Sequence, residues 1–220
     1  MLNTKLILIE GLPGAGKSTT TSRLGMALQE SGIPCEWFLE DDDPHPISCL
    51  DFEIKGLPQK MIPLWKEFVD RNLDRPSVTI LESRLWQNTS LYMLMSETGM
   101  NEILDYNHRL EQVLTPLSPA LIYLDQPDVP AALHRMAAAR GEPWVRATLG
   151  ETLDYPWFST RRIGDFDGWI SFFKAWHEVA GQLYGEWPHH KVEVINPHEN
   201  WNEAYNLMDA FLQIGPAKEL

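Results

Sequence analysis

The sequence predicts a three-layer α/β domain, a five-stranded and mainly parallel sheet with helices on both faces. Three observations predict it. Five short apolar runs, Lys5 to Glu10, Cys35 to Leu39, Ser77 to Glu82, Ala120 to Asp125 and Lys191 to Ile195, alternate with helical stretches, and parallel strands need the crossovers that helices supply. The first run passes through a Gly-rich loop directly into a helix. The length, 220 residues, suffices for one core of ordinary size but not for two full domains, so 1–220 reads as a single unit.

Each element has its own signal. The first helix, Lys17 to about Glu30, stops at Ser31-Gly32 with Pro34 just beyond. Cys35 to Leu39 runs into the acidic group Glu40-Asp41-Asp42-Asp43, and Pro44 and Pro46 then break the chain. A helical segment from about Gln59 to Asn72 leads to the third strand, and a mostly helical region spans about Ser90 to Leu114. Asp128 has the character of an N-cap for a helix from Ala131 to Arg140, which Gly141 ends. From Glu142 to Pro188 the pattern is less regular, apart from a helical stretch near Trp169 to Leu183. In the fifth strand Val192 and Val194 alternate with Lys191 and Glu193, as on a half-exposed edge. Asn200 caps a last helix with Trp201, Ala204, Met208 and Phe211 on one face.

Composition excludes several classes. The chain is 44% apolar and 22% charged, which is ordinary for a folded protein and poor for disorder or low complexity. Eighteen Lys and Arg against 31 Asp and Glu give a net charge of −13. That argues against a general grip on nucleic acid or an anionic membrane, both of which need a basic face, while leaving room for a small basic pocket. Cys35 and Cys49 lack the spacing of a disulfide framework or a zinc site. No apolar run reads as a signal peptide or membrane span, so a cytoplasmic protein is expected. His189-His190, beside Pro188 and Lys191, reads as a wet loop.

Gly11-Leu12-Pro13-Gly14-Ala15-Gly16-Lys17-Ser18 matches GxxxxGK[ST] at every fixed position and sits between an apolar strand and a helix, the context the motif requires. Small residues let backbone N–H groups turn around phosphate oxygens, and the helix end adds its own unpaired donors and positive dipole. Lys17 then reaches the β- and γ-phosphates and Ser18 ligates Mg²⁺. Thr19, Thr20 and Thr21 are poor helix formers, which suits a first turn used for hydroxyl contacts. No NKxD occurs, and Asp165-Phe166-Asp167-Gly168, although it fits DxxG, lies away from any strand, so a nucleotide switch is disfavoured. Two strand ends compete for the magnesium shell, Glu82 and Asp125.

The P-loop, the strand end Glu82-Ser83-Arg84, and Tyr123-Leu124-Asp125-Gln126-Pro127-Asp128 running to Arg135 and Arg140-Gly141-Glu142 together resemble the nucleoside and nucleoside-monophosphate kinase superfamily, thymidylate and deoxynucleoside kinases in particular. The resemblance implies the three-layer P-loop NTPase fold, sheet order 2-3-1-4-5, a helical lid over about 128–188, ATP at the P-loop and Mg²⁺ beside it. It implies an ATP-binding set of Gly11, Pro13, Gly14, Ala15, Gly16, Lys17, Ser18 and Thr19, with Arg135 over the adenine and Asn196, before Pro197, bordering it. Glu82 would polarise a magnesium-bound water or the acceptor hydroxyl, and Arg84 would hold the acceptor. In those kinases Arg stands next to the acid or forms an Asp-Arg pair, so the intervening Ser83 departs from the pattern. A solvated ion pair between Glu82 and Arg84 is the alternative. If the strand persists, the two side chains point to one side.

Arg135, Arg140, Arg146, Arg161 and Arg162 gather in the lid segment. Permanently charged, planar guanidinium suits a transferring phosphoryl group, so Arg140 or Arg146 is expected to act on phosphate; ordinary solvated arginines are the alternative. Of the acidic run, Glu40 or Asp41 is the expected functional member, as a general base near an acceptor hydroxyl, the rest forming a solvated turn. Five of the nine Trp, at 144, 157, 169, 176 and 187, lie beyond the lid helix; Trp169 and Trp176 are expected to share a buried helix face, and Trp65 and Trp86 to lie nearer the acceptor. The expected function is ATP- and Mg²⁺-dependent phosphoryl transfer to a nucleoside or nucleoside monophosphate. A sugar-nucleotide or antibiotic acceptor is the alternative, and a homodimer is left open. A second class is a P-loop regulator with slow hydrolysis, its exposed tryptophans meeting a partner.

Overall fold

The computed structural model describes residues 3–48 and 56–214; Cys49 lies outside them. Five strands, β1 (Leu6–Gly11), β2 (Cys35–Phe38), β3 (Val78–Glu82), β4 (Ala120–Asp125) and β5 (His190–Ile195), form one sheet in the order β2-β3-β1-β4-β5. Every neighbouring pair is parallel. Among the described residues nine α-helices connect and flank the strands: α1 (Lys17–Glu30), α2 (Leu57–Asn72), α3 (Ser90–Met95), α4 (Met100–Leu114), α5 (Val129–Arg140), α6 (Glu142–Thr152), α7 (Pro156–Ser159), α8 (Phe166–Glu186) and α9 (Trp201–Leu212).

The central strand β1 is buried along its whole length, which is why it carries no polar alternation. Its side chains divide between two cores. Leu6 and Leu8 join Leu81, Leu121 and Tyr123 on the face covered by α2, α4 and α8, where Trp65, Tyr106 and Trp176 fill the space. Ile7 and Ile9 join Ile80 and Ile122 on the other face, under α1 and α9, with Leu24, Leu28 and Met208. The aromatic side carries large single contributions: truncating the fully buried Trp65 to Ala costs about 3–5 kcal/mol. On the opposite side α1 sits close to the sheet because Gly25 has no side chain; a Cβ there would lie 2.2 Å from the Trp37 ring.

The sequence reading differs from the structure in three places. The region from Ser90 to Leu114 is two helices, separated at Glu97, whose φ of +60° no helix continues. The less regular stretch from Glu142 to Pro188 is largely helical. Gly141 ends α5 and starts α6, while Asp165 caps α8 by accepting from Gly168 N at 2.8 Å, so the apparent DxxG is a helix start. The lid segment 128–188 is also heterogeneous: α6 buries none of its residues, whereas α8 buries Trp169, Ile170, Phe172, Phe173 and Trp176 in the core. The expected caps at Asp128 and Asn200 are present, accepting from Ala131 N at 3.0 Å and Glu203 N at 3.2 Å.

Parallel pairing sends every strand's carboxyl end to the same edge. Ile9 stands beside Glu82 and Glu10 beside Tyr123 in the ladder, so Glu10, Glu82, the turn after β2 and the loop into α1 converge there.

Candidate active site

The loop from Gly11 to Gly16 wraps the start of α1. Gly14 and Gly16 have φ of +78° and +93°, backbone that residues with a side chain rarely adopt. Space is also lacking: a Cβ on Gly16 would meet the Trp201 ring at 2.3 Å, and one on Gly11 would meet the Leu124 carbonyl oxygen at 2.6 Å. Lys17 is buried and folds back into the loop, its Nζ donating to the Leu12 carbonyl at 3.1 Å. Pro13, Gly14, Gly16, Lys17, Ser18 and Thr19 line a cleft of about 660 Å³. Gly11 and Ala15 lie buried behind them. Of the three threonines only Thr19 lines the cleft; Thr20 and Thr21 are fully buried, so their hydroxyls have no access to it.

Opposite the loop stands Glu82. Ser18 Oγ donates to its Oε1 at 2.7 Å, and Glu40 N donates to its Oε2 at 3.2 Å. The rival at the end of β4 is committed elsewhere: Asp125 meets His177 Nε2 at 2.7 Å, and this contact raises His177 above its ordinary value. A serine hydroxyl and a carboxylate are the hard oxygen donors that Mg²⁺ takes when it keeps several waters and substrate oxygens, so this pair fits the ion. Asp125 does not join it.

The acidic turn is divided as its charge requires. Asp41, Asp42 and Asp43 are exposed, whereas Glu40 is half-buried. Burial raises the Glu40 carboxyl above the usual range, Lys17 opposes this, and Glu82 adds to it. Glu40, Asp41, Asp42 and Glu82 all line the cleft.

Arg84 is not paired with Glu82 on the surface. Ser83 has φ +56°, so the strand ends at Glu82 and the same-side geometry expected of an extended 82–84 segment is lost. Arg84 is instead buried, its Nε donating to His45 Nε2 at 3.3 Å and its head group bonded to the Glu40 carbonyl oxygen. Burial, with Arg84 adding to it, lowers His45 to about 4, which keeps it a neutral acceptor. Arg84 therefore braces the turn bearing Glu40 and does not line the cleft.

Of the lid arginines, Arg140 lines the cleft and lies 5.1 Å from the Trp144 ring centre. Arg146 is turned outward toward Glu142, 3.6 Å away, and Arg161 pairs with Glu97 at 2.5 Å. Arg135 is exposed on α5, and Asn196 occupies the turn after β5, its N donating to the Asp125 carbonyl at 2.8 Å. The expected clustering of Trp is mostly packing. Trp157, Trp169, Trp176 and Trp187 are each less than a tenth exposed, which corrects the picture of an exposed aromatic surface. Trp65 and Trp86 are likewise core residues.

Sequence reasoning missed Glu10. Its buried carboxylate accepts from Leu85 N at 2.8 Å and Trp86 N at 3.2 Å, and so ties β1 to the turn that carries Arg84. Burial pushes it up to about 7 against these bonds and nearby Lys17. A carboxylate in an otherwise apolar strand was the available signal. The reading also missed part of the cleft lining, to which Asn88, Tyr92, Trp144, Phe158, Phe172 and Phe173 are brought by four helices and a turn; no spacing along the chain marks that set.

No protein-family model and no curated protein matches the chain. Solved structures do. Thymidylate kinase from Ehrlichia chaffeensis superposes with a TM-score of 0.56 at 12% identity, over 96% of this chain and 98% of that one. The fold is that of the P-loop nucleotide kinases. Deoxyadenosine kinase from M. mycoides, solved with bound dATP, gives 0.52 at 15% identity over 94% and 98%. Thymidylate kinase from Candida albicans gives 0.51 at 16% over 94% and 92%. No helix among the described residues is long and apolar enough to cross a membrane.

Proposed function

We propose that the protein is an ATP- and Mg²⁺-dependent phosphotransferase acting on a hydroxyl of a small metabolite of the nucleoside or nucleotide kind. The observation that carries this is the Ser18–Glu82 hydrogen bond beside Lys17, all three residues lining one cleft. The likeness to kinases of nucleosides and nucleotides supports the same reading.

Backbone N–H groups of the loop and Lys17 hold the ATP phosphates, with Arg135 and Asn196 bordering the adenine. Ser18 and Glu82 would hold Mg²⁺, which would neutralise phosphate charge when bound. Glu40 takes the proton of the acceptor hydroxyl. The acceptor oxygen bonds to the γ-phosphorus, the bond to the β,γ-bridging oxygen breaks, and its electron pair leaves on ADP. Arg140 offsets charge on the transferring group; it is preferred to Arg146 because it lines the cleft. Arg84 positions Glu40 from behind and does not touch the acceptor. Burial of four tryptophans removes the observation that favoured a regulator. A free, buried Cys35 suits a reducing cytoplasm.

The test is incubation with Mg-ATP and a panel of nucleosides, nucleoside monophosphates and other hydroxyl compounds. Transfer to at least one is expected and Lys17→Ala abolishes it; transfer to none, with ATP bound, overturns the reading.

A further inference from the structure

Building on the kinase reading, we infer that the acceptor bears no phosphate or other negative charge and has a flat ring as its body: a nucleoside-like compound and not a nucleoside monophosphate.

The cleft lining is of two chemical kinds. Lys17, Ser18 and Glu82 supply polar groups; Tyr92 and Trp144, both partly exposed, supply aromatic surface, while Phe158 and Phe172 are buried. A flat apolar body suits Tyr92 and Trp144, since aromatic rings stack such a body at little cost in order.

Charge decides the rest. Among the described residues that line the cleft, five are acidic, Glu40, Asp41, Asp42, Glu82 and Glu151, and two are basic, Lys17 and Arg140. Both cations are assigned to the phosphates of ATP. Arg84, the guanidinium expected to hold an acceptor phosphate, is turned away onto His45 and the Glu40 carbonyl. A phosphate monoester carries a charge of about −1.5 to −2 at neutral pH. Here it would enter a half-buried space beside Glu40 with no guanidinium to receive it, losing water without gaining a partner. An uncharged hydroxyl compound meets no such barrier, and its hydroxyl finds Glu40 as a proton acceptor.

The experiment compares nucleosides with their own 5′-monophosphates in one Mg-ATP assay, with glycerol as a ring-free control, and follows binding of each by quenching of tryptophan emission. At least one nucleoside is expected to exceed its monophosphate in kcat/KM by about tenfold or more. The difference should narrow at high salt, as charge repulsion is screened. Glycerol should be far poorer. Better transfer to monophosphates overturns this inference while the kinase reading stands. Glycerol as good as any nucleoside overturns the flat-ring part. Transfer to no compound overturns the kinase reading, and binding then decides the inference. Tighter quenching by nucleosides than by monophosphates sustains it, whereas equal or weaker quenching, or none, overturns it.

Discussion

Ser18 Oγ donates to Glu82 Oε1 at 2.7 Å, joining the residue after the loop lysine to the end of β3 across 64 positions of sequence. Glu82→Gln preserves an acceptor for this bond and removes the charge. It is expected to lower kcat roughly 100-fold while ATP affinity in the absence of Mg²⁺ changes little, read by steady-state kinetics and nucleotide titration. Equal losses in kcat and metal-free ATP affinity would place Glu82 in nucleotide binding instead. Ser18→Ala should raise the Mg²⁺ concentration needed for half activity.

Glu40 is raised above the ordinary carboxylate value, first by burial. As a base it works ionised, so activity should fall as pH falls through that raised value, on the acid side of the profile. Glu40→Gln should lose most of kcat together with this acid limb. An unchanged limb in the variant would assign it to another group.

Glu10 is raised from 4.5 to about 7 in the folded protein. The folded state then binds a proton that the unfolded state has released, so this group's contribution to stability is fully present below about 4.5 and is lost as pH rises through about 7. Glu10→Gln, neutral at every pH, should melt higher than wild type at pH 8 and close to it at pH 5. A lower melting temperature at pH 8 would mean that the ionised carboxylate and its two backbone donors are net stabilising.

His177 is raised above 6.5 chiefly by its hydrogen bond to Asp125. Its stabilising charge is present below 6.5 and lost as pH rises through the raised value. His177→Gln should therefore cost more melting temperature at pH 6 than at pH 9. Equal costs at both would make the pair a matter of shape.

Gly16 combines a φ of +93° with a ring 2.3 Å from where a Cβ would stand. Gly16→Ala is expected to destabilise by about 1–3 kcal/mol and to weaken ATP binding. With Trp201→Ala added, the double variant should lose less than the sum of the two single losses, because the clash is removed; strict additivity in denaturant unfolding would show that the ring yields freely.

Local features were readable from the chain. The phosphate loop is contiguous, and five of its glycine, lysine and serine positions carry their physics in residue type. Strand and helix periods placed most elements within a few residues, and the caps at Asp128 and Asn200 follow from one side chain reaching the next turn. Less legible was the stretch after Gly141, where aromatics dominate and helices of different exposure follow one another.

Residue type and spacing along the chain specify the GxxxxGK[ST] loop between its strand and helix, and the alternation that makes a parallel sheet. Tertiary structure alone decided that Glu82 and not Asp125 faces Ser18, that Arg84 braces Glu40 from behind, and that Arg140 enters the cleft while Arg146 does not. The physical reason is that each choice depends on where separate elements end relative to one another. A left-handed residue at Ser83 redirects the chain after β3, and His177 on α8, 52 positions from Asp125, claims that carboxylate. The charge of −13 is sharpened in the same way: it is a bulk property of the chain, and folding brings five of those acids to the cleft beside the loop into α1.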